Sequence, residues 1–294
     1  MQTHPLIERL VAEGPVLTDG AWGTQLQERG LQPGECPDAW NLLHPERVEE
    51  VARAYLGAGS RIILTNTFRA NRLALAAYGL ADRTVEINRA GVAISRRAAQ
   101  GKALVFASIG PSGRMLVAGE VSQQDLAAAF SEQARALAEG GADGIVIETM
   151  ADLTEARLAA MAAIETGLPV VACMVFDSGR NRDRTMMGVT PEQAARGLAE
   201  AGAHVVGANC GQGIAGYVEI CRRLRAAIDR PVWIKANAGL PELVEGKPLY
   251  RMTPDEYASF LPALLNAGAS FIGGCCGTTP EFIRALAQAL ARLR

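Results

Sequence analysis

The chain has 294 residues, 49% of them hydrophobic and 20% charged, with 31 glycines and a formal net charge of −2. That length accommodates two ordinary domains or one large α/β barrel. A nearly balanced charge and a pI near 6.0 leave no electrostatic footprint for nucleic acid or an anionic membrane.

No apolar run approaches the roughly 18 residues of a membrane span. Residues 1–14 mix charged side chains (Glu8, Arg9, Glu13) with apolar ones, which reads as a short amphipathic helix and not as a signal peptide. Six cysteines without an export signal imply reduced thiols in a cytoplasm, used for metal, catalysis or packing.

In chain order, a short strand Pro15-Val16-Leu17-Thr18 runs into Asp19-Gly20-Ala21-Trp22-Gly23-Thr24 and a polar loop. A helix over Pro45–Ala58 follows, with Glu46, Glu49 and Glu50 in its early turns and Gly59 ending it. Arg61–Thr65 is the next apolar run and closes on Asn66-Thr67-Phe68. A helix over 84–100 leads to Ala103–Ala107 and Ser108; a second, over 122–139 with Ser122 as N-cap, leads to Gly144–Ile147 and Glu148. The pattern then repeats: helix 152–165 and strand 169–176, helix 191–201 and strand 204–208 before Asn209-Cys210-Gly211, and a helix to about 228. Strand 231–235 ends on Asn237, and helix 254–266 feeds Ser270–Ile272, Gly273-Gly274-Cys275-Cys276-Gly277-Thr278-Thr279-Pro280 and a last helix.

Eight short apolar runs alternate with helices, as parallel strands buried on both faces do. Eight in one chain of this length predict a single-domain (β/α)₈ barrel over 1–294, opened by the helix within 1–14. A weak internal echo supports it. Gly-containing junctions at 56–60, 139–143, 200–204 and 266–270 precede the second, fourth, sixth and eighth strands, each offering a helix C-cap. The alternative is an open doubly wound sheet, but no Gly-x-Gly-x-x-Gly follows the first strand.

A barrel gathers its active site at the C-terminal ends of its strands. Those ends carry Asp19, Asn66-Thr67, Ser108, Glu148, Asp177, Asn209-Cys210, Asn237 and Cys275-Cys276. The sixth and eighth strands are near enough for Cys210 to face the twin cysteines. Three thiolates suit Zn²⁺, and three ligands leave a fourth position for substrate. The glycines around Cys275 and Cys276 are expected to let two consecutive residues turn toward one ion. Cys173, inside the fifth strand, Cys221 on a helix and Cys36 in a loop read as packing residues.

Asp19-Gly20-Ala21-Trp22-Gly23-Thr24, Thr65-Asn66-Thr67-Phe68, Ile147-Glu148-Thr149, Asn209-Cys210-Gly211, Asn237-Ala238-Gly239-Leu240-Pro241 and the closing Gly-Gly-Cys-Cys-Gly-Thr-Thr-Pro stand in order. Together they resemble the homocysteine S-methyltransferase family, which includes the homocysteine module of cobalamin-dependent methionine synthase and betaine–homocysteine methyltransferase. The resemblance implies a zinc-dependent transfer of a methyl group to homocysteine, giving methionine, with zinc on Cys210, Cys275 and Cys276. It further implies that Asn237 fills the fourth position at rest and that Glu148 accepts the substrate ammonium. No tyrosine follows Glu148, so the resting ligand of the betaine type has no counterpart there.

The substrate carboxylate is expected on backbone amides of the Asp19-Gly20-Ala21 turn, a glycine-enabled nest, with Asp19, Asn66, Thr67 and Ser108 orienting the amino acid. The methyl donor is expected to be a betaine-like onium compound or a methylcorrinoid on a partner protein, with S-methylmethionine as the alternative. The chain stops soon after its last motif, so folate and cobalamin modules and a long C-terminal arm are not expected. Two other readings remain. A barrel lyase or aldolase would use Lys235, with a depressed pKa, as a Schiff base; a non-catalytic zinc protein would need only the cysteines.

Overall fold

The computed structural model describes residues 3–244 and 247–293. Eight parallel strands, β1 (Val16–Leu17), β2 (Ile62–Ile63), β3 (Leu104–Ile109), β4 (Gly144–Met150), β5 (Val170–Met174), β6 (Val205–Cys210), β7 (Val232–Ala236) and β10 (Ala269–Gly274), make one sheet. Their order, β1-β10-β7-β6-β5-β4-β3-β2, is that of a (β/α)₈ barrel read from its seam, and helices surround it. The seam between β1 and β2 has no full ladder. It is held by Arg61 N–H to Leu17 O at 2.8 Å and by Leu64 N–H to the Asp19 carboxylate at 2.7 Å. A side chain at the site therefore also completes the barrel wall.

The barrel interior is apolar below the mouth. Phe106, Trp233 and Phe271 stack with ring centroids 6.3 and 5.3 Å apart, among Val16, Leu64, Val146, Val171 and Cys173. Ile7 and Leu10 of the N-terminal helix (Pro5–Ala12) join the same cluster and close the bottom. Glycine in two strands lets this layer pack closely: a Cβ on Gly207 would lie 2.3 Å from Trp233 O, and one on Gly144 2.8 Å from the Phe106 ring. Cys173 is buried in this layer, and Cys36 and Cys221 are buried outside it.

The four echoing junctions behave alike. Gly59, Gly141, Gly202 and Gly268 all sit at left-handed φ, between 90° and 106°, where a Cβ is strained. The Pro45–Ala58 helix has its expected bounds, and Ser122 caps Gln123–Glu139 through a full capping box with Asp125.

Three expectations need correction. The helix expected over 254–266 is two, Pro254–Ser259 and Leu261–Asn266, because Pro262 has no amide to continue the ladder. The loop after β1 is not irregular throughout and carries the short helices Gly23–Glu28 and Trp40–Leu43. After β7 the chain makes an antiparallel hairpin, β8 (Glu242–Val244) with β9 (Lys247–Leu249), which the strand count along the sequence omits.

Candidate active site and metal centre

The ends of β6 and β10 bring Cys210, Cys275 and Cys276 together, with all three Sγ atoms within 4.8 Å of one another. No disulfide joins them, and Cys210 and Cys276 are 3.8 Å apart. A tetrahedral ion with sulfur at about 2.3 Å needs sulfur pairs separated by about 3.8 Å, so the cluster has the dimensions of a metal site. The charge balance points the same way. Hydrogen bonding from Cys275 favours a Cys210 thiolate, but its bond with Cys276, together with burial, takes Cys210 up to about 12. Cys276 reaches about 12 as well, and Cys275 is shifted upward. Three adjacent, half-buried thiols cannot ionise together without a cation.

Loading a divalent ion at pH 7 is therefore expected to release about three protons per ion. Calorimetric titration in two buffers of different ionisation enthalpy measures that number. Release of one proton or none would show that the three thiols do not act as one ligand set.

Neighbouring residues hold the cluster in shape. Cys210 and Thr149 both have left-handed backbone, with φ of 63° and 62°, a strain of roughly 1–3 kcal/mol each. Asn209 ties them together: Oδ1 accepts the Thr149 amide at 2.6 Å, and Nδ2 donates to Thr149 Oγ1 at 2.7 Å while lying 3.9 Å from Cys275 Sγ. Three of the five tyrosines, all fully buried, reach from the outer helices to the strand ends. Tyr55 donates to Ala21 O at 2.6 Å, Tyr217 to Asn209 O at 3.0 Å and Tyr257 to Gly273 O at 2.8 Å.

The glycines of the last motif serve close packing more than turning. Gly273 and Gly274 still belong to β10, and a Cβ on them would lie 2.1 Å from Thr18 Oγ1 and 2.3 Å from Thr278 Oγ1. Only Gly277 of the three has a left-handed φ, 79°, and the Tyr250 ring lies where its side chain would be.

A cavity of about 290 Å³ opens beside the thiols and is lined by Gly20, Ala21, Asn66, Ser108, Glu148 and Lys235, among others. That is the lower end of small-molecule sites. Glu148 accepts from Ser108 Oγ at 2.5 Å. Burial raises its pKa, and attraction to Lys235 and the serine hydrogen bond only partly offset the rise.

Asp19 is present but does not face the cavity as expected. It is fully buried, with Oδ1 2.5 Å from Lys235 Nζ and Oδ2 2.7 Å from both Trp22 Nε1 and Leu64 N. Three donors take up most of the acceptor positions of its carboxylate, and it positions Lys235 and Trp22. The first loop lacks the left-handed residue of a backbone nest. Gly20 has no left-handed φ, and the Ala21 amide already donates to Thr278 Oγ1 at 3.2 Å.

Asn66 and Ser108 line the cavity, but Thr67 does not. The Thr67 hydroxyl donates to Ser108 O at 2.7 Å, and Thr65 Oγ1 lies 2.5 Å away from it. This clamp joins the chain after β2 to the end of β3. Asn66 donates to Pro37 O and to Asn41 Oδ1. Asn237 donates to Gly211 O at 2.7 Å, and its Oδ1 is buried without a partner. Lys235 does not suit a Schiff base. Burial pulls its pKa down, but Asp19 and Glu148 outweigh that and the net shift is upward, so the amine stays an ammonium.

The sequence offers Asn209 only as a strand-end residue, assigns no role to Thr278 or Trp22, and does not show that Lys235 stays an ammonium. One signal was available: a lysine inside a parallel strand buried on both faces has to be paired.

Fold and site together define a barrel enzyme whose working face is a three-thiol cluster beside a small polar cavity. The chain belongs to the homocysteine S-methyltransferase family, whose model matches residues 16–290. It is 32% identical, over 98% of its length, to methionine synthase of Mycobacterium leprae (strain TN), and 32% identical over 97% to that of Mycobacterium tuberculosis (strain ATCC 25618 / H37Rv). In each case it spans about a quarter (25%) of the relative's length. In fold it is similar to the homocysteine methyltransferase MmuM from Escherichia coli in its metallated form. The TM-score is 0.80 at 24% identity, covering 97% of this chain and 99% of that one.

Proposed function

We propose that the protein transfers a methyl group to the thiol of L-homocysteine, giving methionine, at a zinc ion held by Cys210, Cys275 and Cys276. The observation that carries this reading is one cavity of about 290 Å³ lined by the three thiols together with Glu148 and Lys235. When bound, zinc supplies the positive charge that keeps a substrate thiol ionised, and so nucleophilic, at neutral pH. The chain's own residues place the amino acid. Glu148 takes the ammonium, Ser108 fixes the Glu148 carboxylate, and Asn66 and the Gly20-Ala21 turn wall the cavity. Asn237, with its unpartnered Oδ1, fits the role of resting oxygen ligand. No side chain is needed as a general base, since the thiol gives up its proton on binding.

The donor reaches the sulfur through the cavity mouth. Similarity to methionine synthases favours a methylcorrinoid carried on another protein or module, with a betaine-like onium compound as the second candidate. Arg180, Arg182 and Arg184 are exposed and have no part in the amino-acid site. No helix among the described residues is long and apolar enough to cross a membrane, and reduced thiols at the centre of the chemistry fit a cytoplasmic enzyme.

The deciding experiment supplies homocysteine with methylcobalamin, betaine, a dimethylsulfonium compound or S-methylmethionine in turn, scored for methionine. Methionine is expected from at least one, with a free or protein-borne methylcorrinoid as the first choice. Metal-loaded protein that makes none from any donor would sink the reading.

A further inference from the structure

Two residues of the cavity wall other than glycine have left-handed backbone, Thr149 near the end of β4 and Cys210 at the end of β6. A β-branched residue rarely adopts that conformation, so something has to hold Thr149 in it, and such strain gathers at functional sites. Asn209 holds it. This residue is 1% exposed, and its side chain bridges β6 to β4. Oδ1 accepts the Thr149 amide at 2.6 Å, and Nδ2 donates to Thr149 Oγ1 at 2.7 Å. The Asn209 carbonyl is fixed as well, by the Tyr217 hydroxyl at 3.0 Å.

A backbone N–H can only donate, so the atom facing the Thr149 amide has to be the Asn209 oxygen. The side-chain amide therefore cannot be turned over, and Nδ2 is the atom that lies 3.9 Å from Cys275 Sγ, at the long reach of a sulfur acceptor. One of its protons serves Thr149 Oγ1, and the other is left for the sulfur. Cys275 is pinned in turn, with its amide donating to Ala236 O at 2.7 Å and its carbonyl accepting from Thr278 Oγ1 at 2.7 Å. We propose that Asn209 is a positioning residue of the metal centre: it donates an N–H···S hydrogen bond to the Cys275 thiolate and, through Thr149, locks the end of β4 against the thiol cluster. This deepens the zinc reading of the three cysteines and rests on it. A hydrogen bond accepted by a thiolate stabilises its charge, and partners around metal ligands tune the metal in this way. Cys275 is then a duller nucleophile than a substrate sulfur on the same ion, which favours methylation of the substrate.

Isotopically labelled wild-type protein loaded with NMR-active cadmium tests the bond without any substitution. A scalar coupling between one Asn209 side-chain amide proton and the ion, carried through the Cys275 sulfur, is expected. Cobalt-loaded protein gives a second reading, because thiolate-to-cobalt charge-transfer absorption moves to lower energy when a ligand sulfur loses a hydrogen bond. Asn209→Leu, which is neutral and of similar size, should show that move and hold metal roughly 10- to 100-fold more weakly, the usual loss when support around a metal is removed. Thr149→Val loses the hydroxyl partner but keeps the N–H···S contact, so its band should stay at the wild-type energy.

Cadmium-loaded wild type without the coupling would overturn the assignment and leave Asn209 as a brace of the cavity wall. Weaker metal binding with an unmoved cobalt band in Asn209→Leu would overturn it too, since a merely structural role predicts that combination. So would a band shifted as far in Thr149→Val as in Asn209→Leu, because both would then report a distorted cluster. Protein that takes up neither cadmium nor cobalt would remove the metal centre itself and the proposed function with it, whereas a loaded protein that lacks the coupling loses only the role of Asn209.

Discussion

Replacing Cys275 with serine is expected to cost the protein its metal and, with it, methyl transfer. The three Sγ atoms are spaced for one tetrahedral ion, and a serine hydroxyl neither ionises near neutral pH nor reaches a sulfur-ligand distance. Loss of hydrogen-bonding support around a metal costs about 10- to 100-fold in affinity, and loss of a ligand should exceed that. Cys276→Ser and Cys210→Ser should behave alike. Cys221→Ser is the control, because Cys221 is buried on an outer helix with Sγ 3.7 Å from Ala267 O, away from the cluster. It should keep full metal content and lose only a little thermal stability. Metal per chain after dialysis against a chelator, read beside the unfolding midpoint, separates the two effects. Cys275→Ser protein that retains one tightly held ion per chain would remove the cluster from the mechanism.

Much of the barrel could be read from the chain because its signals are local. Buried parallel strands show as continuous apolar runs, as in Val170–Met174 and Val205–Ala208, and helix ends show in Ser122 with Asp125 and in the left-handed glycines at 59, 141, 202 and 268. What stayed hidden depended on contacts distant in sequence. The seam between β1 and β2 is held partly by a carboxylate, which no propensity reveals. The β8–β9 hairpin lies in a Pro- and Glu-containing stretch without the alternation that marks a half-buried strand.

The site divides in the same way. Strand-end cysteines and Glu148 are legible because a barrel sends its strand ends to one mouth. The roles of Asp19 and Lys235 are not, because they were decided by which of two opposite charges, 216 residues apart, faces the cavity. Read alone, Asp19 looks like a residue that orients the amino acid and Lys235 like a nucleophile. In the fold they are a buried ion pair, Nζ to Oδ1 at 2.5 Å. Thr67 is a similar case: its place in a strand-end motif suggested substrate, but its hydroxyl is used within the wall.

Glu148→Gln is expected to raise the KM for homocysteine by roughly 100-fold while leaving metal content intact, since a buried ammonium without its counter-charge costs about 3 kcal/mol or more. Glutamine can still accept the Ser108 hydroxyl through its carbonyl oxygen, so the fold of the cavity should survive. The pH dependence gives an independent check. Burial raises the Glu148 pKa above its usual 4.5, so in the empty enzyme the carboxyl holds its proton to higher pH than in the unfolded chain. A group whose folded pKa is raised favours the fold at low pH, and that contribution is lost as pH rises through the folded value. The ionised, ammonium-ready state is therefore the less stable one, and the glutamine variant should be at least as stable as wild type at neutral pH.

Homocysteine affinity should accordingly fall as pH drops through the raised Glu148 value, at a pH above the ordinary glutamate range. In Glu148→Gln that limb should vanish, leaving only the loss caused by metal release, which metal content tracks separately. Mercaptobutanoate, which has no ammonium, should bind wild type and variant equally. An unchanged acid limb in Glu148→Gln, or an equal loss for mercaptobutanoate, would show that Glu148 shapes the cavity without holding the amino group.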